Sequence, residues 1–231
     1  MPEGDFGQLL TFADLNSDKF SDLVTLDHEL STVKVFAYSE SEKQFNLWKS
    51  FRVDGCSKIY NIVVGRSPTL MRLFVTCQAG GETVVKIVDR LEERSSIGDD
   101  EFNFVTVRFQ LPIEQDSQPF IADLNGDFLE DVLFTDTSSN NVMVALQTDV
   151  KDTPFVVTDF RSSMIVRDPN EGCISGDMAH KRLTIPHSVA MVDFDGDCLS
   201  DLFLTVQDVS SGRKYYEIYL RREFSETMPI G

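Results

Sequence analysis

The chain has 231 residues, of which 42% are hydrophobic, and it carries a formal net charge of −17 at pH 7. This length and apolar content suffice for a buried core, whereas the excess of acidic residues excludes nucleic acid and anionic membranes as direct partners, because both bind through Lys and Arg. No apolar run reaches about 18 residues and the N-terminus has no signal-peptide pattern, so we expect no signal peptide, anchor or direct membrane insertion in this segment.

The first predicted element is a pair of strands around an acidic loop. Residues 12–26, FADLNSDKFSDLVTL, place Asp, Asn, Asp and Asp at positions 1, 3, 5 and 9 of a loop that begins at Asp14. Apolar residues occupy positions 2 and 7 and are predicted to anchor the loop by packing. The flanking segments QLLTF and LVTL are short and rich in strand-forming residues, so the loop is predicted to join two strands of one sheet.

A degenerate copy of this element is predicted next. Residues 62–76, IVVGRSPTLMRLFVT, keep the apolar flanks but carry Gly65, Ser67 and Thr69 where we place the acids. This copy is therefore predicted to keep the shape of the hairpin without binding a divalent cation. The charged stretch that follows, residues 89–101, is predicted to be a surface excursion.

Two further intact copies follow, and both align with the first without a gap. They are IADLNGDFLEDVLFT, residues 121–135, and MVDFDGDCLSDLFLT, residues 191–205, separated by a polar segment at 159–183 that is predicted to be a second surface excursion. Repeated units with several short strands each indicate propeller blades. We predict an all-β fold in which residues 1–231 form a single β-propeller region. The predicted repeats are 6–57, 58–115, 116–184 and 185–231, the last one incomplete.

The repeated loop offers only oxygen ligands, which select Ca²⁺ or Mg²⁺ over transition metals. A cage of side-chain oxygens with one backbone carbonyl favours Ca²⁺, because Mg²⁺ tends to retain its waters. We therefore predict three calcium sites, with side-chain ligands from positions 1, 3, 5 and 9 and the carbonyl of position 7. The predicted ligands are Asp14, Asn16, Asp18, Phe20 and Asp22 in the first loop, Asp123, Asn125, Asp127, Leu129 and Asp131 in the second, and Asp193, Asp195, Asp197, Leu199 and Asp201 in the third.

Two other interpretations of the loop, an EF-hand and a polar turn without metal, fit the sequence less well. An EF-hand needs Gly at position 6, Glu at position 12 and helical flanks, whereas position 6 is Lys19, Phe128 or Cys198 here. Polar turns that bind no metal need only one or two Asp or Asn residues, and not four in a fixed register three times. The calcium interpretation is therefore preferred.

The four cysteines leave the redox state open. The intervals suit Cys56 with Cys77 and Cys173 with Cys198, but buried free thiols would have the same spacing.

These motifs resemble known repeats. The acidic loop between strands, with Phe6 and Gly7 upstream of the first copy, resembles the FG-GAP repeats of integrin α-subunit propellers. The segment IPHSVAMVDFDGDCLSDLFLT, residues 185–205, and the order of intact and degenerate copies resemble the T-cell immunomodulatory protein family. The resemblance extends over essentially the whole chain. It implies an FG-GAP propeller with about four blades present, part of a larger propeller of the seven-bladed type.

The same resemblance implies a location and a function. The location is the extracellular or lumenal side of a membrane, in the ectodomain of a type I membrane protein. The function is a calcium-stabilised, non-catalytic interaction module in cell adhesion or surface recognition, with a protein partner at a cell surface. Because an incomplete ring exposes sheet edges, self-association is also expected.

Two alternatives are a carbohydrate-binding propeller and an FG-GAP domain associated with a hydrolase. A sugar site would need exposed Trp or Tyr, and Trp48 is predicted to pack between blades instead. A hydrolase would need a convergent ionisable pair outside the calcium loops. His187 with Ser188 and Asp193 lacks the exposed turn of a catalytic nucleophile, and His187 is predicted to be structural.

Overall fold

The structure is a computed structural model that describes residues 6–66, 71–93, 101–115, 117–148, 154–160, 181–186 and 189–221. Within these ranges, sixteen β-strands form four antiparallel sheets of four strands each. The all-β prediction is therefore confirmed.

The strands follow one another along the chain, four to a sheet. Sheet 1 contains β1 (Gln8–Ala13), β2 (Asp22–Leu26), β3 (Thr32–Ser39) and β4 (Gln44–Arg52). Sheet 2 contains β5 (Lys58–Arg66), β6 (Met71–Ala79), β7 (Glu82–Glu93) and β8 (Glu101–Pro112). Sheet 3 contains β9 (Phe120–Ala122), β10 (Asp131–Thr135), β11 (Val142–Gln147) and β12 (Phe155–Asp159). Sheet 4 contains β13 (Lys181–Leu183), β14 (Val189–Val192), β15 (Asp201–Asp208) and β16 (Lys214–Tyr219).

Sheets 1 to 3 are simple meanders, whereas sheet 4 is built differently. β16 pairs with residues 202–207 of β15 and so occupies one edge of that strand. β14 pairs with residues 201–204 and β13 with residues 206–208, so both must lie along the opposite edge, one after the other. The fourth sheet therefore begins at Lys181, ahead of the predicted repeat start at residue 185.

The chain divides into two compact units, Met1–Ile113 and Glu114–Gly231. In the first unit, one hydrophobic core joins sheets 1 and 2. It contains Val24, Leu26, Val33 and Val35 from sheet 1 and Ile59, Ile62, Leu73, Val75, Val84 and Val88 from sheet 2. Trp48 packs against this core and meets Phe104 edge-on, with ring centroids 6.3 Å apart, in agreement with its predicted packing role.

A disulfide joins Cys56 to Cys77 in the first unit, which confirms one of the two pairings considered. Cys198 carries a free, exposed thiol, and Cys173 lies outside the described residues.

In the second unit, a separate core joins sheets 3 and 4. Sheet 3 contributes Leu133, Val142 and Val144, and sheet 4 contributes Leu183, Leu202, Leu204, Val206 and Tyr219. Phe160 belongs to this core and meets the ring of Tyr219 edge-on at 5.0 Å.

Both predicted surface excursions are partly wrong. Asp89 and Arg90 lie inside β7. Arg90 is buried, and its guanidinium donates hydrogen bonds to acceptors within the first unit. Phe160 and Lys181, at the two ends of the second stretch, are also buried. Residues 94–100 and 161–180 lie outside the described ranges.

The described part of the chain has no helix with the length and apolar character needed to cross a membrane.

Candidate metal centres

Each of the three acidic loops connects two neighbouring antiparallel strands, as predicted. The loops lie between β1 and β2, between β9 and β10, and between β14 and β15. In each, the acid at position 9 opens the second strand and pairs with the last residue of the preceding strand. The three pairs are Asp22 with Ala13, Asp131 with Ala122, and Asp201 with Val192.

The three loops share one pattern of hydrogen bonds from backbone N–H groups to loop carboxylates. Position 6 donates to position 1 in Lys19 to Asp14 (2.9 Å), Phe128 to Asp123 (3.0 Å) and Cys198 to Asp193 (3.0 Å). Position 7 donates to position 5 in Phe20 to Asp18 (2.8 Å), Leu129 to Asp127 (2.8 Å) and Leu199 to Asp197 (2.9 Å). Position 2 donates to position 9 in Leu15 to Asp22 (2.8 Å), Leu124 to Asp131 (2.9 Å) and Phe194 to Asp201 (2.7 Å).

Two left-handed residues shape every loop. Position 4 has a positive φ at Ser17 (65°), Gly126 (84°) and Gly196 (78°), and position 6 has one at Lys19 (75°), Phe128 (68°) and Cys198 (69°). The absence of Gly at position 6 was one argument against an EF-hand. Non-glycine residues nevertheless adopt the left-handed backbone here, so that argument is wrong. The flanking strands still exclude the helix–loop–helix motif.

The carboxylates of the third loop converge. Oxygens of Asp193, Asp195 and Asp197 lie within 4.8 Å of one another at an exposed site. In the other two loops position 3 is an Asn whose side-chain amide donates to the acid at position 5. These bonds are Asn16 to Asp18 (2.8 Å) and Asn125 to Asp127 (2.9 Å).

The acid at position 9 is fully buried in all three loops. Burial raises the pKa of Asp131 to about 7, even though N–H groups of Gln147 and Leu124 donate to it. Burial also raises the pKa of Asp22. Burial therefore disfavours the charged form of both carboxylates more than their hydrogen bonds favour it.

The first loop has a buried oxygen that fits a calcium ion. Oδ1 of Asp22 is buried and has no hydrogen-bond partner among the described residues, whereas Oδ1 of Asp201 accepts from the N–H of Arg221 at 2.8 Å. A buried carboxylate oxygen without a donor is an acceptor that a hard cation can satisfy. For Phe20, Leu129 and Leu199 the loop hydrogen bonds use the N–H group, so ligation through their carbonyls stays a prediction.

An arginine from the following sheet contacts the first loop, and sequence analysis missed it. Arg90 of sheet 2 directs Nη1 at the carbonyl oxygen of Leu15 and at Oγ of Ser17, 3.0 Å away. The buried guanidinium thus holds positions 2 and 4 of the loop in place.

Arg221 has the same relation to the second loop. Its guanidinium lies so close to Gly126, at position 4, that a Cβ there would collide with it. The β15–β16 register places Leu220 opposite Asp201, so Arg221 lies one residue beyond the partner of position 9. Arg90 has the equivalent place in sheet 2. No local pattern in the sequence marks either residue.

The degenerate repeat carries a cation of its own. Residues 62–76 aligned without a gap to residues 12–26 place Arg72 at position 9, where the other copies carry an acid. In the structure Arg72 pairs with Gly65 of β5. Its guanidinium forms two hydrogen bonds with Asp89, at 2.6 and 3.0 Å. The assignment of Gly65 to an acidic position is thus not supported, and Ser67 and Thr69 lie outside the described residues.

A small cavity lies within the second unit between sheets 3 and 4. Lys181 and Glu217 line it and pair with each other at 2.6 Å, and the hydroxyl of Tyr219 donates to Glu217 at 2.7 Å. Lys181, Glu217 and Tyr219 therefore satisfy one another in this cavity. His187 and Ser188 lie outside the described residues, so their predicted roles stay predictions.

Comparison with known proteins gives one distant relative. A scan against protein-family models finds no match. The chain is 23% identical to human T-cell immunomodulatory protein over 219 residues, which cover 93% of this chain and 31% of that protein. The chain thus spans about a third of the length of this relative. The similarity indicates a distant relationship.

A second repeated turn closes the next hairpin of three sheets. Asp27 lies directly after β2 and accepts from the N–H groups of Ser31 (2.8 Å) and Thr32 (3.1 Å). Asp136 and Asp208 accept from following serines in the same way. The signal in the sequence was an Asp followed within a few residues by Ser, at or just beyond the end of the strand that follows each acidic loop.

This turn predicts a pH effect. Partial burial would by itself raise the pKa of Asp27, but hydrogen bonds from Ser31 and Thr32 outweigh it and lower the pKa to about 2. Because the folded pKa lies below the unfolded value of about 3.9, the stabilisation is complete above about pH 4 and is lost as pH falls towards 2.

We expect Asp27→Asn to lower the free energy of unfolding by about 1 kcal/mol at pH 6, after allowance for solvent screening. Urea unfolding of both proteins at several pH values measures this, and the difference should shrink as pH falls below about 4. A difference that stays constant down to about pH 3 would contradict the role of the ionised carboxylate.

Proposed function

We propose that this chain is a calcium-stabilised β-propeller segment that serves as a non-catalytic interaction module. The observation that carries the proposal is the shared loop structure. Three loops share the same hydrogen bonds and a buried acid at position 9, and in the third loop oxygens of three carboxylates lie within 4.8 Å of one another. Hydrogen bonds hold this shape but leave the acids charged, and a divalent cation removes the repulsion.

The size of the electrostatic effect supports calcium as a stabiliser. Three bound calcium ions change the formal charge from −17 to −17 + 6 = −11. Each ion also ties together two strands of one sheet, since its ligands come from both ends of the loop. Binding to the folded chain alone stabilises that state.

A propeller is proposed because four-stranded antiparallel sheets recur along the chain, and three of them carry the acidic loop between two neighbouring strands. We propose that these sheets are blades of a larger propeller of the FG-GAP type. The similarity to human T-cell immunomodulatory protein supports an ectodomain location and a protein partner at a cell surface. A carbohydrate-binding function is less well supported, since Trp48 packs against the hydrophobic core of the first unit.

Calcium titration tests this function. We expect isothermal titration calorimetry to detect three ions per chain with dissociation constants of about 10⁻⁴ to 10⁻³ M. At about 5 mM calcium each site should add about 1 to 2 kcal/mol to the free energy of unfolding, and excess chelator should reverse the gain. Asp127→Ala and Asp195→Ala should each reduce the number of bound ions by one.

The matched control is Glu40→Ala, which removes an exposed acid outside the loops. It should leave the number of bound ions unchanged. A wild-type chain that binds no calcium at millimolar concentration, or an Asp127→Ala variant that still binds three ions, would overturn the proposal.

A further inference from the structure

Arg221, two residues after β16, contacts two of the acidic loops through different atoms. Its backbone N–H donates to Oδ1 of Asp201, the acid at position 9 of the third loop, at 2.8 Å. Its guanidinium lies against Gly126, at position 4 of the second loop, and Nη2 occupies the place that a Cβ there would take. Both loops belong to the second unit, so one residue links two of the predicted metal sites within a single compact unit.

The buried carboxylate of Asp201 determines where Arg221 lies. Its Oδ2 accepts from the N–H of Phe194 at 2.7 Å and its Oδ1 from the N–H of Arg221, and Asp201 itself is fully buried. Breaking a hydrogen bond to a buried carboxylate is costly, so the backbone of Arg221 follows that carboxylate. The position of Asp201 therefore sets the point from which the side chain of Arg221 starts.

The guanidinium of Arg221 in turn restricts the second loop at position 4. Gly126 has a positive φ of 84° there, and its N–H donates to Oδ1 of Asp123 at 2.5 Å. Because the guanidinium fills the space beside Gly126, it keeps this residue from moving outward, away from the acid that it holds. The arginine thus supports the part of the second loop that orients Asp123.

The first unit has a similar arginine but lacks such a link. Arg90 contacts Ser17, at position 4 of the first loop, with 3.0 Å between Nη1 and Oγ. Position 9 of sheet 2, however, is occupied by Arg72, which pairs with Asp89 and not with a metal. The contact from Arg90 therefore connects the first loop to an internal ion pair and not to a second metal site.

We propose that Arg221 is a positioning residue that couples the second and third calcium sites, so that calcium in either loop strengthens binding in the other. This inference rests on the proposed calcium sites. An ion in the third loop holds Asp201, and with it Arg221, so the second loop loses less conformational freedom when it binds its own ion. The coupling is reciprocal, as for any pair of linked sites, whereas the first site binds independently.

A calcium titration followed by nuclear magnetic resonance reads each site separately. The amides of Gly126 and Gly196 each donate to the acid at position 1 of their own loop, at 2.5 and 2.7 Å. Their amide signals therefore report the second and third loops. The amide of Asp18 donates to position 1 of the first loop at 3.1 Å and reports that loop.

Removal of one site should weaken the other site of the second unit. Asp195→Ala removes the third site and should raise the dissociation constant read at Gly126 about fivefold. Asp127→Ala removes the second site and should raise the constant read at Gly196 by the same factor. Neither variant should change the constant read at Asp18.

Arg221→Met separates the link from the loss of a negative charge in Asp195→Ala. It removes the guanidinium but keeps the backbone N–H that Asp201 accepts. In the Arg221→Met background, Asp195→Ala should no longer change the constant read at Gly126. Arg213→Met, at an exposed arginine between β15 and β16, makes the same change of charge and should keep the full coupling. Arg221→Gln repeats the test if Arg221→Met misfolds by circular dichroism.

A measurement in excess chelator checks the contact without calcium. Arg221→Met should speed hydrogen exchange of the Gly126 amide at least about threefold, because the loop loses the support of the guanidinium. The exchange of Gly196 should stay as in wild type, and Arg213→Met should change neither amide.

Three results would overturn the coupling while the calcium sites stand. They are a constant at Gly126 that Asp195→Ala leaves unchanged, a fivefold effect of Asp195→Ala that persists in the Arg221→Met background, and unchanged exchange of Gly126 in Arg221→Met. A wild-type chain in which none of the three reporter amides responds to millimolar calcium would overturn both the coupling and the proposed function.

Discussion

Asp131→Ala is expected to lower the free energy of unfolding of the second unit by about 3 kcal/mol, even in excess chelator. The carboxylate is fully buried and accepts two backbone hydrogen bonds, from Leu124 at 2.9 Å and from Gln147 at 2.9 Å. Alanine leaves both N–H groups without an acceptor in a place that water does not reach. Chemical denaturation followed by circular dichroism measures the loss.

Asp127→Ala is the matched variant in the same loop. Asp127 is exposed, and its bonds to Asn125 and Leu129 can be replaced by water. We therefore expect a loss of less than about 1 kcal/mol in chelator, together with the loss of one calcium site. Equal losses for Asp131→Ala and Asp127→Ala in chelator would contradict the separation of a folding acid from a metal-binding acid.

Arg72→Met is expected to lower the free energy of unfolding of the first unit by about 3 kcal/mol, with or without calcium. The side chains of Arg72 and Asp89 are only 10% and 15% exposed, and their two hydrogen bonds form one paired contact. Methionine fills a similar volume but leaves the charge of Asp89 without its partner in a poorly solvated place. Urea unfolding at fixed calcium and in chelator measures both values.

The double variant Arg72→Met with Asp89→Leu separates charge from packing. Replacing both partners removes the unpaired charge, so most of the lost stability should return. If the double variant is as unstable as Arg72→Met alone, the ion pair does not account for the lost stability. The other contacts of Arg72 then account for it.

The loops and the strands beside them could be predicted because their residues are local. Asp123, Asn125, Asp127 and Asp131 fall within nine residues and recur in register with the other copies. A polar pattern of that length specifies a turn, and apolar runs on both sides specify strands. The disulfide between Cys56 and Cys77 could only be named as one of several possibilities, because spacing does not fix pairing.

The contacts around the loops could not be predicted, because their partners lie far apart in the chain. Arg90 reaches a hydroxyl that is 73 residues away, and nothing near Arg90 in sequence indicates that partner. The charged stretch around it was predicted to be exposed for the same reason. Composition describes a segment, whereas burial depends on what packs against it.

The equivalence of Arg72 to Asp22, in contrast, could have been predicted from the sequence. Residues 62–76 written beneath 12–26 without a gap place Arg72 under Asp22, although Arg72 pairs with Gly65, which stands two residues beyond the place of Ala13 in that alignment. The prediction for this repeat rested on the absence of acids and did not consider the arginine at position 9. Position 9 thus carries a buried acid in three copies and an internally paired cation in the fourth.

The contact between Arg90 and the first loop also determines how the chain can be shortened. A fragment that ends at residue 57 would keep every predicted ligand of that loop, yet it would lack the guanidinium and half of the apolar core. The smallest piece expected to bind calcium at the first loop in its native shape is therefore two sheets long and ends near Ile113. Expression boundaries, proteolytic fragments and sites for inserted tags should respect pairs of sheets and not single repeats.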